Sequence, residues 1–219
     1  MRIVLIVLAY IGLAIVGYLI GSLHPAYLIG RSKGIDVRDH GSGNSGASNA
    51  TITMGWKVGV LVGGLDILKG FIPVYVMLQC VRYIPVFSNI ELAPAVIGFG
   101  CVIGHLYPYL MHFRGGKGFA TYLGMATALC PQFFVCIGIA IIIITVVSDY
   151  IVLATLTTII SFPVIIFLLT FNALIALIVL AASVLIFLKH IPNLKRIADG
   201  TEIGLRSSGK HRVTPEQKE

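Results

Sequence analysis

The stretch "HGSGNSGASN", residues 40–49, sets Gly41, Gly43 and Gly46 in a literal G-x-G-x-x-G spacing, the pattern that brings a dinucleotide's pyrophosphate against a helix N-terminus. That chemistry needs a strand before the glycines and a β-α-β unit around them; here an uncharged apolar run and a charged loop come first. A flexible linker is the plainer reading of glycine and serine. Against it, Ser42, Asn44, Ser45, Ser48 and Asn49 crowd the stretch with hydrogen-bonding groups, and a helix is predicted from about Thr51. Backbone amides freed by glycine beside a helix N-terminus suit an anion. The stretch reads as a phosphate cradle rather than a nucleotide fold.

A second candidate is "GHLYPYLMHFRGGKGFAT", residues 104–121. It is not a P-loop, because a hydroxyl residue must follow the lysine of G-x-x-x-x-G-K and Gly118 stands there. Even so, Gly115 and Gly116 allow close backbone approach while Arg114 and Lys117 supply positive charge. Asp66 and Lys69 lie three apart in "GGLDILKG" and share a helical face. Inside a membrane such a pair turns to a bundle interior or a wet cavity, either joining two helices or letting Lys69 neutralise a charged substrate. His190, at the end of the last apolar run, is in isolation more readily an interfacial residue than a catalyst; Lys195 and Arg196 read as contacts to lipid headgroups. Two glycine-rich cationic segments on one face point to a substrate with more than one phosphate, or to two phosphorylated substrates.

The elements that must position these residues are membrane helices. The chain is 57% hydrophobic and 11% charged, with a mean hydropathy of +0.95, far from the roughly one-quarter charged residues of a soluble domain. Its opening run, residues 3–20, carries no charge and is long enough to cross about 30 Å of hydrocarbon. It lacks a small-x-small cleavage site before the polar loop, so it is expected to stay as the first span. Apolar segments at 3–21, 56–80, 91–111, 119–130, 132–148, 150–170 and 172–188 predict an all-α integral membrane protein, a bundle of seven transmembrane helices. The boundary at Pro131 is ambiguous, since a proline either kinks one helix or opens the next.

Charge sets the orientation. Arg31, Lys33 and Arg38 follow the first span, Arg114 and Lys117 the third, and Lys189, Lys195, Arg196, Arg206, Lys210, Arg212 and Lys218 the seventh, whereas the opposite loops hold Arg82 and little else. With seven spans all three basic regions share the cytoplasmic face, which puts the N-terminus outside and the C-terminus in the cytoplasm. Fusing 119–148 into one span would force the basic tail to the wrong side. Residues 1–204 then form one membrane domain and 205–219 a polar cytoplasmic tail. The net charge of +7 is topological and implies no nucleic acid, because no soluble basic face with interleaved aromatics carries it. Cys80, Cys101, Cys130 and Cys136 form no C-x-x-C pair and read as packing residues rather than a metal or disulfide framework. No internal repeat suggests a transporter's inverted halves.

Taken together, "GSLHPAYLIG" (21–30), "GSGNSGASN" (41–49), "DILKG" (66–70), "GHLYPYLMHFRGGKGFAT" (104–121) and "HIPNLKRIADGTE" (190–202) resemble, in order and spacing, the bacterial membrane acyltransferases that use acyl phosphate to acylate glycerol 3-phosphate. The resemblance implies a seven-helix bundle in the bacterial plasma membrane with its site at the cytoplasmic face. It implies transfer of a fatty acyl group to the 1-hydroxyl of glycerol 3-phosphate, giving lysophosphatidic acid, with no cofactor, nucleotide or metal. The partners it implies are acyl phosphate, glycerol 3-phosphate and membrane lipids, and a monomer suffices. Carried onto this chain, it makes Ser42, Lys117, His190 and Asn193 the catalytic candidates. Gly41, Gly43, Asn44, Gly46, Asn49, Asp66, Lys69, His105, Gly115, Gly116, Glu202 and Thr155, the last where the family usually has serine, are the substrate-binding candidates.

Two positions depart from the family's pattern: "SNATI" puts Ile52 where T-N-x-x-R has arginine, and "GSLHP" puts His24 where the family has proline. Ile52 removes a bidentate phosphate contact and motivates an alternative, a relative without catalysis that binds lipid precursors or partners. An acyl-CoA enzyme with an H-x-x-x-x-D dyad is unsupported, since no histidine has aspartate five residues later.

Overall fold

A backbone in hydrocarbon must satisfy its own hydrogen bonds, and an apolar chain does so by coiling. The computed structural model describes residues 2–204 and 206; among them there are α-helices and 3-10 turns but no strand. In order these are α1 (Arg2–Gly21), α2 (Pro25–Ser32), α3 (Ala47–Met54), α4 (Trp56–Tyr83), α5 (Ala93–Leu106), α6 (Phe119–Leu129), α7 (Pro131–Ser148), α8 (Ile151–Thr170) and α9 (Ala173–Ala198). Six stretches among the described residues are long and apolar enough to cross a membrane: Ile3–Ser32, Trp56–Tyr83, Ala93–Met111, Pro131–Ser148, Ile151–Thr170 and Ala173–Ala198. Helix α6 is apolar, but its 11 residues reach only about 16 Å at the helical rise.

The boundary at Pro131 falls between two helices, as the seven-segment division has it, and two other boundaries differ from the sequence expectation. Cys130 leaves helical geometry (φ −146°) and Pro131 takes the first turn of α7, so the proline opens a helix rather than kinking one. Helix α3 begins at Ala47 rather than near Thr51, because the extended Gly46 ends the loop there. Helix α9 runs ten residues past 188, to Ala198, and therefore carries His190, Asn193 and Arg196 on regular helix.

The bundle is drawn together by glycines at helix crossings. A Cβ on Gly17 or Gly21 of α1 would fall 2.2 Å from Ile97 O or 2.0 Å from Cys101 O, and one on Gly100 or Gly104 of α5 would fall 2.4 Å from Ala14 O or 2.1 Å from Tyr18 O. Both helices thus present a G-x-x-x-G face and meet backbone to backbone, as membrane helices do where no hydrophobic effect drives association. Gly70 of α4 and Gly124 of α6 make the same approach to Thr121 O and Ile67 O. The main core lies among α4 to α9 around Tyr122, Met125, Phe162 and Ile186, with a smaller one of Ala26, Val37, Ala50 and Val62 beneath the glycine loop. Ile3, Leu8, Ile15, Ile160 and Leu174 are exposed, the outward apolar surface of a bundle that faces lipid.

Of the tail expected at 205–219, only Arg206 is among the described residues. Its N–H donates to Asp149 Oδ1 at 2.9 Å, and its guanidinium to Val146 O at 2.9 Å.

Candidate functional site

One end of the bundle holds a cavity of about 580 Å3. Three helices begin on its wall: α3 through Gly46, Ala47 and Ser48, α6 through Gly118, Phe119 and Ala120, and α8 through Ile151 and Val152. Each N-terminus offers unpaired amides and the positive end of a helix dipole, so the wall attracts anions before any side chain is counted. Lys117 and Arg196 add charge, and Ile67, Leu123, Ile141 and Val152 line the same cavity with apolar surface.

The first glycine loop owes its shape to Asn49, which is fully buried. Its Oδ1 accepts from Ser42 N at 2.7 Å, while Nδ2 donates to Val37 O at 2.7 Å and to His40 O at 3.0 Å. A carbonyl that close leaves no room for a Cβ at residue 41: one would fall 2.3 Å from Asn49 Oδ1, and Gly41 also sits at φ +61°. The loop presents Gly41, Ser42, Asn44 and Gly46 to the cavity, whereas Gly43 and Asn49 stand behind them. Ile52, 5% exposed, is part of the wall.

The second loop is held against α5. Gly116 N donates to His105 O at 3.0 Å, and a Cβ on Gly115 would meet His105 O at 2.1 Å, as one on Gly116 would meet His105 Nε2. These two glycines let the loop fold over His105 and turn Lys117 into the cavity; they do not line it themselves. Lys117 donates no hydrogen bond among the described residues, and burial pushes its ammonium down to about 8, with Arg196 reinforcing and Glu202 opposing the shift.

Helix α4 places Asp66 on the wall with Lys69 behind it. The two pair at 2.8 Å, and Lys69 Nζ also donates to Leu23 O at 2.7 Å, so Lys69 ties α4 to the turn before α2 and does not line the cavity. His105 lines it, with Nδ1 3.2 Å from Thr121 Oγ1 and 3.5 Å from Asp66 Oδ1. Thr155 also lines it, its hydroxyl donating back to Ile151 O at 3.1 Å.

Helix α9 closes the site. His190 Nδ1 donates to Ile186 O at 2.8 Å, which leaves Nε2 as an acceptor. Asn193 Nδ2 donates to Glu202 Oε1 at 2.5 Å, while Asn193 Oδ1 is buried with no hydrogen-bond partner among the described residues. The other oxygen of Glu202 accepts from Arg196 Nε at 2.6 Å. Arg196 is the lining residue that the headgroup reading passed over. Its signal was the spacing of 190, 193 and 196, which on a helix is one face. Among the described residues no group of His, Cys, Asp and Glu is arranged to hold a metal.

Fold and cavity together define a polytopic helical membrane protein whose bundle ends in a chamber with a cationic, amide-lined wall for anions and an apolar wall beside it. Comparison with known proteins gives that class a family. The family model described as glycerol-3-phosphate acyltransferase matches residues 11–200. Glycerol-3-phosphate acyltransferase 1 of Oceanobacillus iheyensis is 35% identical over 90% of this chain and 96% of its own length. The glycerol-3-phosphate acyltransferase of Aquifex aeolicus is 35% identical over 87% of this chain and 96% of its own. A crystal structure of PlsY (YgiH), an integral membrane glycerol 3-phosphate acyltransferase in its glycerol 3-phosphate form, superposes with a TM-score of 0.81 at 34% identity, covering 90% of this chain and 95% of that one. Its lysophosphatidic acid form superposes at 0.78, with 33% identity over 90% and 96%. The chain belongs to the glycerol-3-phosphate acyltransferase family.

Proposed function

We propose that this protein transfers a fatty acyl group from acyl phosphate to the 1-hydroxyl of glycerol 3-phosphate, releasing lysophosphatidic acid and phosphate. The observation that carries the reading is the cavity's composition: anion-binding amides and cations on one wall, hydroxyl acceptors on another, apolar surface on a third. A phosphorylated polyol and an acyl chain need those three environments together.

An acyl phosphate is a mixed anhydride with a good leaving group, so catalysis consists mainly of holding two anions close and aligning the hydroxyl. The glycine loop with Ser42 and Asn44, the N-termini of α3 and α6, and Lys117 take the phosphates. His190 Nε2 and Asn193 Oδ1 are both acceptors, matched to the hydroxyls of glycerol 3-phosphate, and Glu202 holds Asn193 in that orientation. The 1-hydroxyl oxygen bonds to the acyl carbon as the bond from that carbon to the bridging oxygen breaks. The hydroxyl proton goes to His190 Nε2 or to the leaving phosphate, whose second pKa of about 6 suits neutral pH. Amides at the α6 N-terminus stabilise charge on the carbonyl oxygen. Ile67, Leu123 and Ile141 border the path of the acyl chain.

The site faces the cytoplasm of a bacterial plasma membrane, with seven crossings, the N-terminus outside and residues 205–219 as a cytoplasmic tail. The course of the chain supports the odd count: α6 leaves from the cavity wall, and α7 returns to Asp149, which contacts Arg206 beside the cavity-lining Glu202 and Ile203. The short α6 therefore makes a crossing together with the turn at Cys130.

The test is acyl transfer by the purified protein in lipid, with labelled glycerol 3-phosphate and either palmitoyl phosphate or palmitoyl-CoA. Lysophosphatidic acid formed from palmitoyl phosphate alone is the expected result. No product from either donor, with a folded protein, would move the reading to a precursor-binding relative, the alternative that Ile52 in the wall favours.

A further inference from the structure

A buried pair of imidazoles joins the two phosphate loops from behind. His24 is the residue before α2, yet its side chain does not cap that helix; it turns inward and is 2% exposed. Its ring lies 4.6 Å, centroid to centroid, from that of His105, tilted by 43°. On its other side, His24 Nδ1 is 3.4 Å from the hydroxyl of Ser45, a fully buried residue of the first glycine loop. His105 carries the connection onward, since its carbonyl accepts from Gly116 N and its ring forms the floor under Gly116, the residue before Lys117. The turn that holds His24 is fixed in turn by Lys69, through its bond to Leu23 O.

None of the atoms of His24 lines the cavity, and neither the resemblance nor the mechanism above uses the residue. A side chain this deep, polar and uninvolved in capping is costly to bury unless its position matters. Among the described residues its ring meets Ser45, His105 and the backbone of Gly104. One route between Ser42 and Lys117 thus runs through Ser45, His24, His105 and Gly116, beside the direct tie of Arg38 to Met111 O at 3.0 Å.

We infer that His24 is a positioning residue: with Ser45 and His105 it sets the separation of the two phosphate-binding loops, and so the affinity for the substrate anion that spans them. The inference rests on the proposed function for its substrates. It differs from a packing role in what it predicts, because a displaced binding group raises KM in the folded enzyme, whereas lost packing lowers the folded fraction and leaves KM as it is.

The experiment compares His24→Leu, which keeps apolar bulk and removes the ring nitrogens, with His24→Asn, which keeps a polar atom near Ser45 Oγ. KM and kcat are measured for both substrates, and binding of labelled glycerol 3-phosphate is measured in parallel. In folded His24→Leu we expect the apparent KM of at least one substrate to rise about tenfold, with any fall in kcat smaller, and His24→Asn to recover most of that loss. Ser45→Ala is expected to raise the same KM, and the double variant His24→Leu/Ser45→Ala to fall short of additivity. Unchanged KM values in folded His24→Leu, or strict additivity with Ser45→Ala, would overturn the inference. If His24→Leu does not fold, Ser45→Ala decides, and an unchanged KM in that folded variant overturns the inference. A wild type with no transfer activity would remove the function instead, and the comparison would then be read from glycerol 3-phosphate binding.

Discussion

Lys117 is the residue whose chemistry the sequence located most directly, by two glycines and a lysine in a polar loop, and the structure puts its ammonium in the cavity with its donors free among the described residues. Burial brings its titration down to about 8 from the usual 10.5, and the sign of the consequence follows. Below about pH 8 the ammonium is charged and binds phosphate; as pH rises through that value the charge is lost and the substrate's KM climbs. Replacing Lys117 with Arg, which stays protonated at every accessible pH, should keep substantial activity and move the rise in KM beyond pH 9. Lys117→Ala should lower kcat/KM by roughly 10²–10³-fold, the effect of removing one preorganised charge contact. KM profiles from pH 6.5 to 9.5 check both, and identical profiles for wild type and Lys117→Arg would remove Lys117 as the titrating group. Other residues were less legible. A paired Asp66 and Lys69 fit either a helix tie or a substrate contact, and the outcome divides between them: Lys69 bonds the backbone of a neighbouring turn while Asp66 meets the cavity. Asn49 looked like one more hydrogen-bonding group in a polar loop, and nothing in a one-dimensional pattern distinguishes the clamp behind a loop from the groups in front of it.

At the scale of elements, hydropathy located the long helices because lipid demands about 20 apolar residues in succession. It said less about polar helix, so α2 and α3 went unassigned or began late, and α9 was cut at the hydrophobic boundary although its hydrogen bonding runs on to Ala198. That extension matters, since it converts three residues of a supposed surface segment into one face of a helix against the cavity. The spacing of small residues was equally readable but is meaningful only once partners are known: Gly17 and Gly21 answer Gly100 and Gly104 across a single crossing. We expect Gly104→Leu to force α1 from α5 and to cost about 1–3 kcal/mol or more, as overpacking does in a close-packed interface. It should lower the melting temperature in detergent and reduce the folded yield. Gly12→Leu, on the same α1 but with nothing within 4 Å of the added Cβ, should leave the melting temperature unchanged. Equal destabilisation by both would mean that the crossing does not decide, since leucine is the better helix former and propensity alone would favour both variants.

At the scale of the whole molecule, orientation depends on whether the short apolar helix α6 crosses. If α6 crosses with its adjoining turn, the loops at 36–49, 112–118 and 149–150 and the end of α9 all lie in the cytoplasm, where glycerol 3-phosphate is made available, and the three helix N-termini on the cavity wall share that side. If α6 only dips and returns, α7 would begin and end on faces that separate Asp149 from the first glycine loop, although both border one chamber through α8 and α3. The positive-inside count and the chamber thus make the same demand by independent routes, one from lysine and arginine in loops and one from helix ends around a cavity. Reporter fusions read it directly. Alkaline phosphatase joined after Ser88 should be active and joined after Arg114 silent, and a fluorescent protein joined after Glu219 should fluoresce. An active phosphatase after Arg114 would invert the orientation and place the chamber on the outer face, whereas a dark fluorescent fusion at the C-terminus, with full-length protein present and the Arg114 fusion silent, would mean that α6 does not cross.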